Sequence, residues 1–204
     1  MALKLNVPHF IQGYNECGQT ALKMVFAYFG KDIKINEISN AVDPEEKGAT
    51  TTIGLAKTTA ELGFKIGFYT KSIEANPENF KMDFYKRETE GYKKVKAKID
   101  KLKEECEKLG VKIYERALEI NEIIGKINKN CIALVLLDWN IVLGRGERGY
   151  QGHFVPITGY DNINIYVNNS GDKEGKDFAI PLDVFDKARK AKGTDEDVLF
   201  ISKR

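Results

Sequence analysis

Residues 131–139, Cys-Ile-Ala-Leu-Val-Leu-Leu-Asp-Trp, form a nearly unbroken apolar run. Without period-two alternation, a run this short suits a strand covered on both faces, which needs a layer above it and another below. A second segment makes a similar demand. Ala21–Phe29 (Ala-Leu-Lys-Met-Val-Phe-Ala-Tyr-Phe) is apolar almost all round, which predicts a helix buried on most faces and stopped by Gly30.

Around these two segments the patterning predicts further elements. Short helices are expected at 35–42 and 52–62, the latter closed by Gly63, and a strand at 65–70. From Tyr85 to Leu109 the apolar positions Tyr92, Val95, Ile99, Leu102, Cys106 and Leu109 recur at spacings of 3 and 4, which predicts one amphipathic helix. Its stripe is expected to pack on the domain, with a coiled-coil dimer seam as the alternative and a partner protein as a further candidate for this helix. Strands follow at 111–118, 131–139, 153–160, 165–169 and 198–202, with helices at 121–127 and 182–191. Pro156 places an edge or a bulge in the 153–160 strand. The pattern is α+β: a single domain over 1–204, with a helical lobe to about residue 110 and a mostly antiparallel sheet lobe after it.

Composition narrows the function classes. With 42% hydrophobic and 30% charged residues, the chain of 204 residues is globular rather than disordered. Its 32 basic and 30 acidic side chains leave a net charge of +2, too little for a general attraction to nucleic acid or an anionic membrane. Met1–Asn6 has no signal-peptide run, and no segment reaches the roughly 18 apolar residues of a membrane span, so a cytoplasmic location is expected. Cys17, Cys106 and Cys131 are an odd number of thiols, which argues against a disulfide framework. No metal or cofactor is called for.

Chemistry concentrates in four residues. A thiol is a good nucleophile as thiolate, and a helix start and a nearby imidazole both favour that form. Asn15 as N-cap puts Cys17 in the first turn of the buried helix. The chain has two histidines; His9 lies in the N-terminal extended segment, so His153 is the candidate base. Papain-like sites run Cys, then His and Asn roughly 130–150 residues on; here the separations are 136 to His153 and 152 to Asn169. The third residue holds the imidazole by its second nitrogen.

Parity tests that choice. If 153–160 and 165–169 form a hairpin, Asn169 shares the face of His153 only with an odd loop, such as 161–163, or with a bulge in an even one; otherwise Asn168 takes its place. Gln12, five residues before Cys17, can offer a side-chain amide to an oxyanion beside the Cys17 N–H. Gly18, Trp139 and Gly152 are the expected substrate contacts.

At these residues the chain resembles a known group. Val7–Gly30 (VPHFIQGYNECGQTALKMVFAYFG) resembles the opening of C39-like cysteine peptidases, and HFVPITGYD (153–161) with IYVNNS (165–170) resembles their His strand and third-residue strand. Asn169-Ser170 is similar to the Asn-Ser of papain. C39 peptidases usually carry Asp at the third position and Asp-Cys-Gly where Glu16-Cys17-Gly18 stands here. FYKRE (84–88), LGVKIYERALEINEII (109–124), YQGHF (150–154) and, most distinctively, GTDEDVLF (193–200) resemble the guanylyl cyclase-like family of plants and animals, a C39-related group. The resemblance covers most of the chain and implies a papain-like cysteine peptidase fold with a Cys-His-Asn site.

Three functions compete. The first is a thiol-dependent peptidase or amidase acting on a peptide or protein substrate. The second is nucleotide cyclisation, as the family's name implies, for which Asp195, Glu196 and Asp197 supply carboxylates and GRGERG (144–149) a Gly-rich string with Arg145 and Arg148. That string leads into a strand rather than a helix and is read as a rim of the cleft; the carboxylates are read as a polar turn before the last strand. The third is an inert papain-like scaffold that binds a partner.

Overall fold

The apolar run at 131–138 becomes the middle of a sheet. In the computed structural model, which describes residues 2–42 and 49–203, the elements in chain order are β1 (Leu3–Lys4), α1 (Cys17–Tyr28), α2 (Ile35–Val42), α3 (Thr52–Glu61), β2 (Phe64–Thr70), α4 (Asp83–Glu88), α5 (Tyr92–Lys108) and β3 (Lys112–Glu115). They continue with α6 (Ile120–Lys126), β4 (Cys131–Asp138), α7 (Trp139–Val142), β5 (Gly152–Tyr160), β6 (Asn164–Val167), β7 (Phe178–Pro181), α8 (Leu182–Arg189) and β8 (Val198–Lys203). The strand order is β3-β2-β8-β4-β5-β6-β7, with β1 added on β5. Only β2 and β3 run parallel among these pairings. The architecture is the expected mixed α+β sheet fold, and β1 and β2 join the sheet from the half of the chain read as mainly helical.

β4 lies between β8 and β5, and Ile132, Ala133, Leu134, Val135 and Leu137 are buried along it. A strand with both neighbours paired and both faces covered tolerates no polar alternation, which is why its sequence reads as one apolar block. α1 packs on β5 and against α2 and α3. Eight of its residues, Gly18 to Phe26 apart from Lys23, are buried. Phe26 stacks on Phe64 of β2 with ring centroids 4.6 Å apart, and removing such a ring costs about 3–5 kcal/mol. The helix that begins at Cys17 is thus clamped to the sheet.

One expected helix is two. The stripe from Tyr85 to Leu109 breaks at 89–91, where Gly91 takes φ = +91° and Thr89 turns its hydroxyl back onto the Tyr85 carbonyl at 2.6 Å. Thr89 and Gly91, with one residue between them, end the helix there, so the period survives on both sides while the helix does not. α5 packs on α3, burying Leu102 and Cys106. The Pro156 signal resolves as a bulge: β5 is paired on both sides, and its register with β6 shifts between Ile157 and Gly159. All three cysteines are free thiols. Among the described residues no helix is long and apolar enough to cross a membrane.

Candidate active site

Cys17 is the first residue of α1, and the N-cap is Glu16 rather than Asn15. Asn15 instead adopts a left-handed turn (φ = +56°) and donates its amide to Glu88 Oε2 at 3.0 Å. The Glu16 carboxylate accepts from the Gly13 N–H at 3.1 Å and from the Ser39 hydroxyl at 3.3 Å, fixing the approach to the helix. The Cys17 sulfur faces the backbone N–H groups of Phe154, Gly18 and Cys17 itself. Its contact with Phe154 sets it beside the residue that follows His153 on β5. Cys17, His153 and Gln12 open on one cavity.

The β5–β6 hairpin decides which asparagine serves His153. Tyr160 pairs with Ile165, an even loop of four residues that by itself would bring Asn168 onto the His153 face. The bulge at Thr158 restores the phase: beyond it Ile157 pairs with Val167, and continuing that register puts Asn169 on the same face as His153. The Nε2–H of His153 donates to Asn169 Oδ1 at 2.9 Å. That oxygen also accepts from the Gly171 N–H at 3.0 Å, which fixes it as the carbonyl end of the amide. The proton of the neutral imidazole is therefore on Nε2, and Nδ1 carries the free lone pair. Asn168 is buried with different work: its amide donates to the carbonyls of Val7 and Pro8, both at 3.1 Å, tying down the N-terminal segment.

Two further residues support the asparagine loop. His9 donates from Nε2 to the Asn169 main-chain carbonyl at 2.8 Å, a link across 160 residues that sequence pattern did not signal. Gln12 is bonded to Ser170 twice, its N–H to the Ser170 carbonyl at 3.0 Å and its Oε1 to the Ser170 hydroxyl at 2.6 Å. With Oε1 occupied, the amide nitrogen is the half of Gln12 available to a substrate oxygen.

Burial sets the electrostatics against the expected thiolate. It pushes the Cys17 thiol up, while the three facing N–H groups pull it back only in part. Burial also lowers His153 to about 4, against a small opposite push from Asn169. Desolvation thus favours the uncharged forms of both Cys17 and His153, and at Cys17 it outweighs what the helix start gives a thiolate.

The remaining candidates separate. Gly152 lines the cavity. Gly18 faces inward instead: a Cβ there would lie 3.1 Å from both Leu55 and Thr50, so it lets α1 approach α3. Trp139 is not on the cavity wall. It packs on His153, ring centroids 4.7 Å apart, and on Phe178, ring centroids 5.8 Å apart. The Gly-rich string at 144–149 is exposed and apart from the cavity lining.

Asp195 and Asp197, expected as part of a polar turn before the last strand, both stand on the cavity wall. Glu196 between them turns away to the fully buried Arg189 at 3.3 Å. Asp195 and Glu196 take left-handed backbone, with φ of +48° and +55°, so the segment is a turn as expected. Among the described residues no group of three or more His, Cys, Asp or Glu side chains could hold a metal ion.

A family model described as guanylylate cyclase matches residues 7–201. The chain belongs to this guanylylate cyclase family. A relative, "Guanylyl cyclase 1" of Arabidopsis thaliana, is 26% identical over 97% of the chain and 76% of its own length. Solved structures similar to this family member are C39 peptidases. A putative C39-like peptidase from Bacillus anthracis matches with a TM-score of 0.61 at 13% identity, covering 100% of this chain and 98% of that one. The peptidase domain of Streptococcus ComA, a bifunctional ABC transporter, matches with 0.54 at 14% identity, covering 98% and 100%. A double glycine motif protease from an AMS/PCAT transporter matches with 0.53 at 17% identity, covering 98% and 94%. The guanylylate cyclase family member therefore has the C39-like peptidase fold.

Proposed function

We propose that this protein is a thiol-dependent hydrolase of peptide or amide bonds, with Cys17 as nucleophile, His153 as base and acid, Asn169 as the residue that orients it and Gln12 as an oxyanion donor. The observation that carries the reading is the bond from His153 Nε2 to Asn169 Oδ1, which leaves Nδ1 as the basic nitrogen of a histidine that lines the same cavity as Cys17.

The steps follow from those groups. Nδ1 of His153 takes the Cys17 proton as sulfur attacks the carbonyl carbon, and the carbonyl electron pair moves onto oxygen. That oxygen is held by the Gln12 amide and the Cys17 N–H. The C–N bond breaks as the leaving amine takes the proton from His153. Water, deprotonated by the same imidazole, then cleaves the thioester and returns the thiol.

Cleavage of a peptide and amide library by the wild type, absent in Cys17→Ala, together with a thioester adduct on Cys17 seen by intact mass, is the expected result. Equal turnover by wild type and Cys17→Ala would overturn it.

A second reading rests on Asp195 and Asp197, two acids on the same cavity wall, together with the name of the Arabidopsis relative. Nucleotide cyclisation would not need the sulfur. A cyclic product formed from GTP at equal rates by wild type and Cys17→Ala, and lost in Asp197→Asn, would select that reading.

A further inference from the structure

The far part of the cavity is built from acceptors and aromatic rings. Asp197 is 9% exposed; its Oδ2 accepts from the Thr52 hydroxyl, and its Oδ1 has no hydrogen-bond partner among the described residues. The Thr70 hydroxyl nearby gives its proton to the Ser72 carbonyl at 2.9 Å. Asn79, 2% exposed, orients toward Asp195, and its Oδ1 is likewise unpartnered. The Tyr85 hydroxyl is used on the Gly193 carbonyl at 2.7 Å.

Phe80, Phe84, Tyr85 and Tyr150 line the same region. Tyr85 and Tyr150 stack with centroids 5.8 Å apart, Phe84 meets Tyr150 edge-on at 5.1 Å, and Phe80 meets Tyr85 at 5.2 Å. Two buried acceptor oxygens without donors, two acids and four rings are together what a desolvated cation requires: hydrogen-bond acceptors, negative charge and π faces. Lys71, the side chain that offsets Asp195, is 71% exposed and pairs with Glu196 at 3.8 Å. Burial holds Asp197 up at about 7 and raises Asp195, as expected of acids lacking a buried counter-ion.

The sheet register sets the distance from the sulfur. The Asp197 carbonyl accepts from the Leu136 N–H at 3.3 Å, and Leu136 pairs with Phe154, whose N–H faces Cys17. Asp197 and Phe154 are thus two strand spacings apart, roughly 10 Å. An extended Lys or Arg side chain of about 6–7 Å closes that gap once the reach of the Asp side chain is added.

We propose that the Asp195–Asp197 end of the cavity is a specificity pocket for a cationic side chain, ammonium or guanidinium, carried by the substrate next to the carbonyl that Cys17 attacks. The placement of that carbonyl rests on the hydrolase reading; the pocket itself does not.

The test separates the two. Calorimetric titration of the full-length Cys17→Ala protein with Nα-acetyl-arginine amide, Nα-acetyl-lysine amide and the neutral citrulline and norleucine amides should show at least tenfold tighter binding of a cationic ligand. That preference should vanish in Cys17→Ala proteins also carrying Asp197→Asn or Asp195→Asn. Asp197→Asn keeps an acceptor for Thr52, and Asp195 is less buried, so one of the pair should fold as the parent does, checked by thermal melting. Equal binding of charged and neutral amides, or a preference untouched by both substitutions, would overturn the pocket. In the wild type, fluorogenic arginine or lysine amides should be cleaved faster than norleucine amides. Cation binding without cleavage of any amide would sink the hydrolase reading and keep the pocket; faster cleavage of norleucine amides would do the reverse.

Discussion

His9 and His153, the chain's two histidines, meet at one residue: His9 Nε2 donates to the main-chain carbonyl of Asn169 at 2.8 Å, and His153 Nε2 donates to its side-chain oxygen at 2.9 Å. The extended N-terminal segment therefore braces the asparagine that orients the imidazole. Asn168, next along, bonds to Val7 and Pro8 and fastens the same segment from the other side.

His9 is thus a positioning residue. His9→Ala should lower kcat about five- to tenfold on an amide substrate with KM little changed, the equivalent of one neutral hydrogen bond of about 1 kcal/mol. His9→Gln, which can still donate, should recover most of the loss. A KM effect alone, or no recovery with Gln, would show that His9 merely stabilises the segment.

The bulge makes its own prediction. Deleting Thr158 removes the extra residue and leaves Ile157 opposite Val167, so the ladder becomes regular and Asn169 stays on the His153 face. The downfield imidazole N–H resonance of His153 should persist in the deletion and disappear in Asn169→Ala, where hydrolysis should fall by about 10²-fold or more, the scale of losing a held general base. Loss of the resonance in the deletion as well would contradict the hairpin register as the device that selects Asn169.

How far the sequence could be read is clearest in this hairpin. Cys17, His153, Asn169 and Gln12 could be picked out as candidates because one chemistry prescribes their order, separation and residue types; of these, the structure bonds His153 to Asn169 and sets Cys17, His153 and Gln12 on one cavity. The buried β4 and α1 were legible because full burial leaves an unbroken apolar text. The loop length was not, since Asp161–Asn164 allows several turns of near-equal energy; Pro156 announced a bulge without saying which parity it would restore. His9 meets Asn169 across 160 residues, where local pattern carries no signal, and the Asp195–Asp197 turn reaches the cavity wall only through the packing of the sheet. The two-residue strand β1 is too short to leave a pattern.

Stability against pH offers a third prediction. His153 titrates near 6.5 unfolded and about 4 folded, so between these values the unfolded chain binds more protons and stability falls as pH drops. Asp197 goes from 3.8 unfolded to about 7 folded; over nearly the same range the folded chain binds more protons, and stability rises as pH drops. Each contribution is of the order of 3–4 kcal/mol, and the two oppose. Measured by urea unfolding, His153→Gln should gain stability relative to wild type from pH 6.5 to 4, and Asp197→Asn should lose it from pH 7 to 4. Parallel curves for all three proteins would contradict these shifts.

The central claim is that His153 activates Cys17, and the most direct measurement is the iodoacetamide alkylation rate of each cysteine at pH 7 in wild type and His153→Ala, read by peptide mass. Cys106 is buried and held up at about 12, and burial also raises Cys131, so both carry little thiolate at pH 7 and serve as internal references. Cys17 should be modified first in the wild type and at least tenfold more slowly in His153→Ala, with Cys106 and Cys131 unchanged. Equal Cys17 rates in the two proteins would contradict the account.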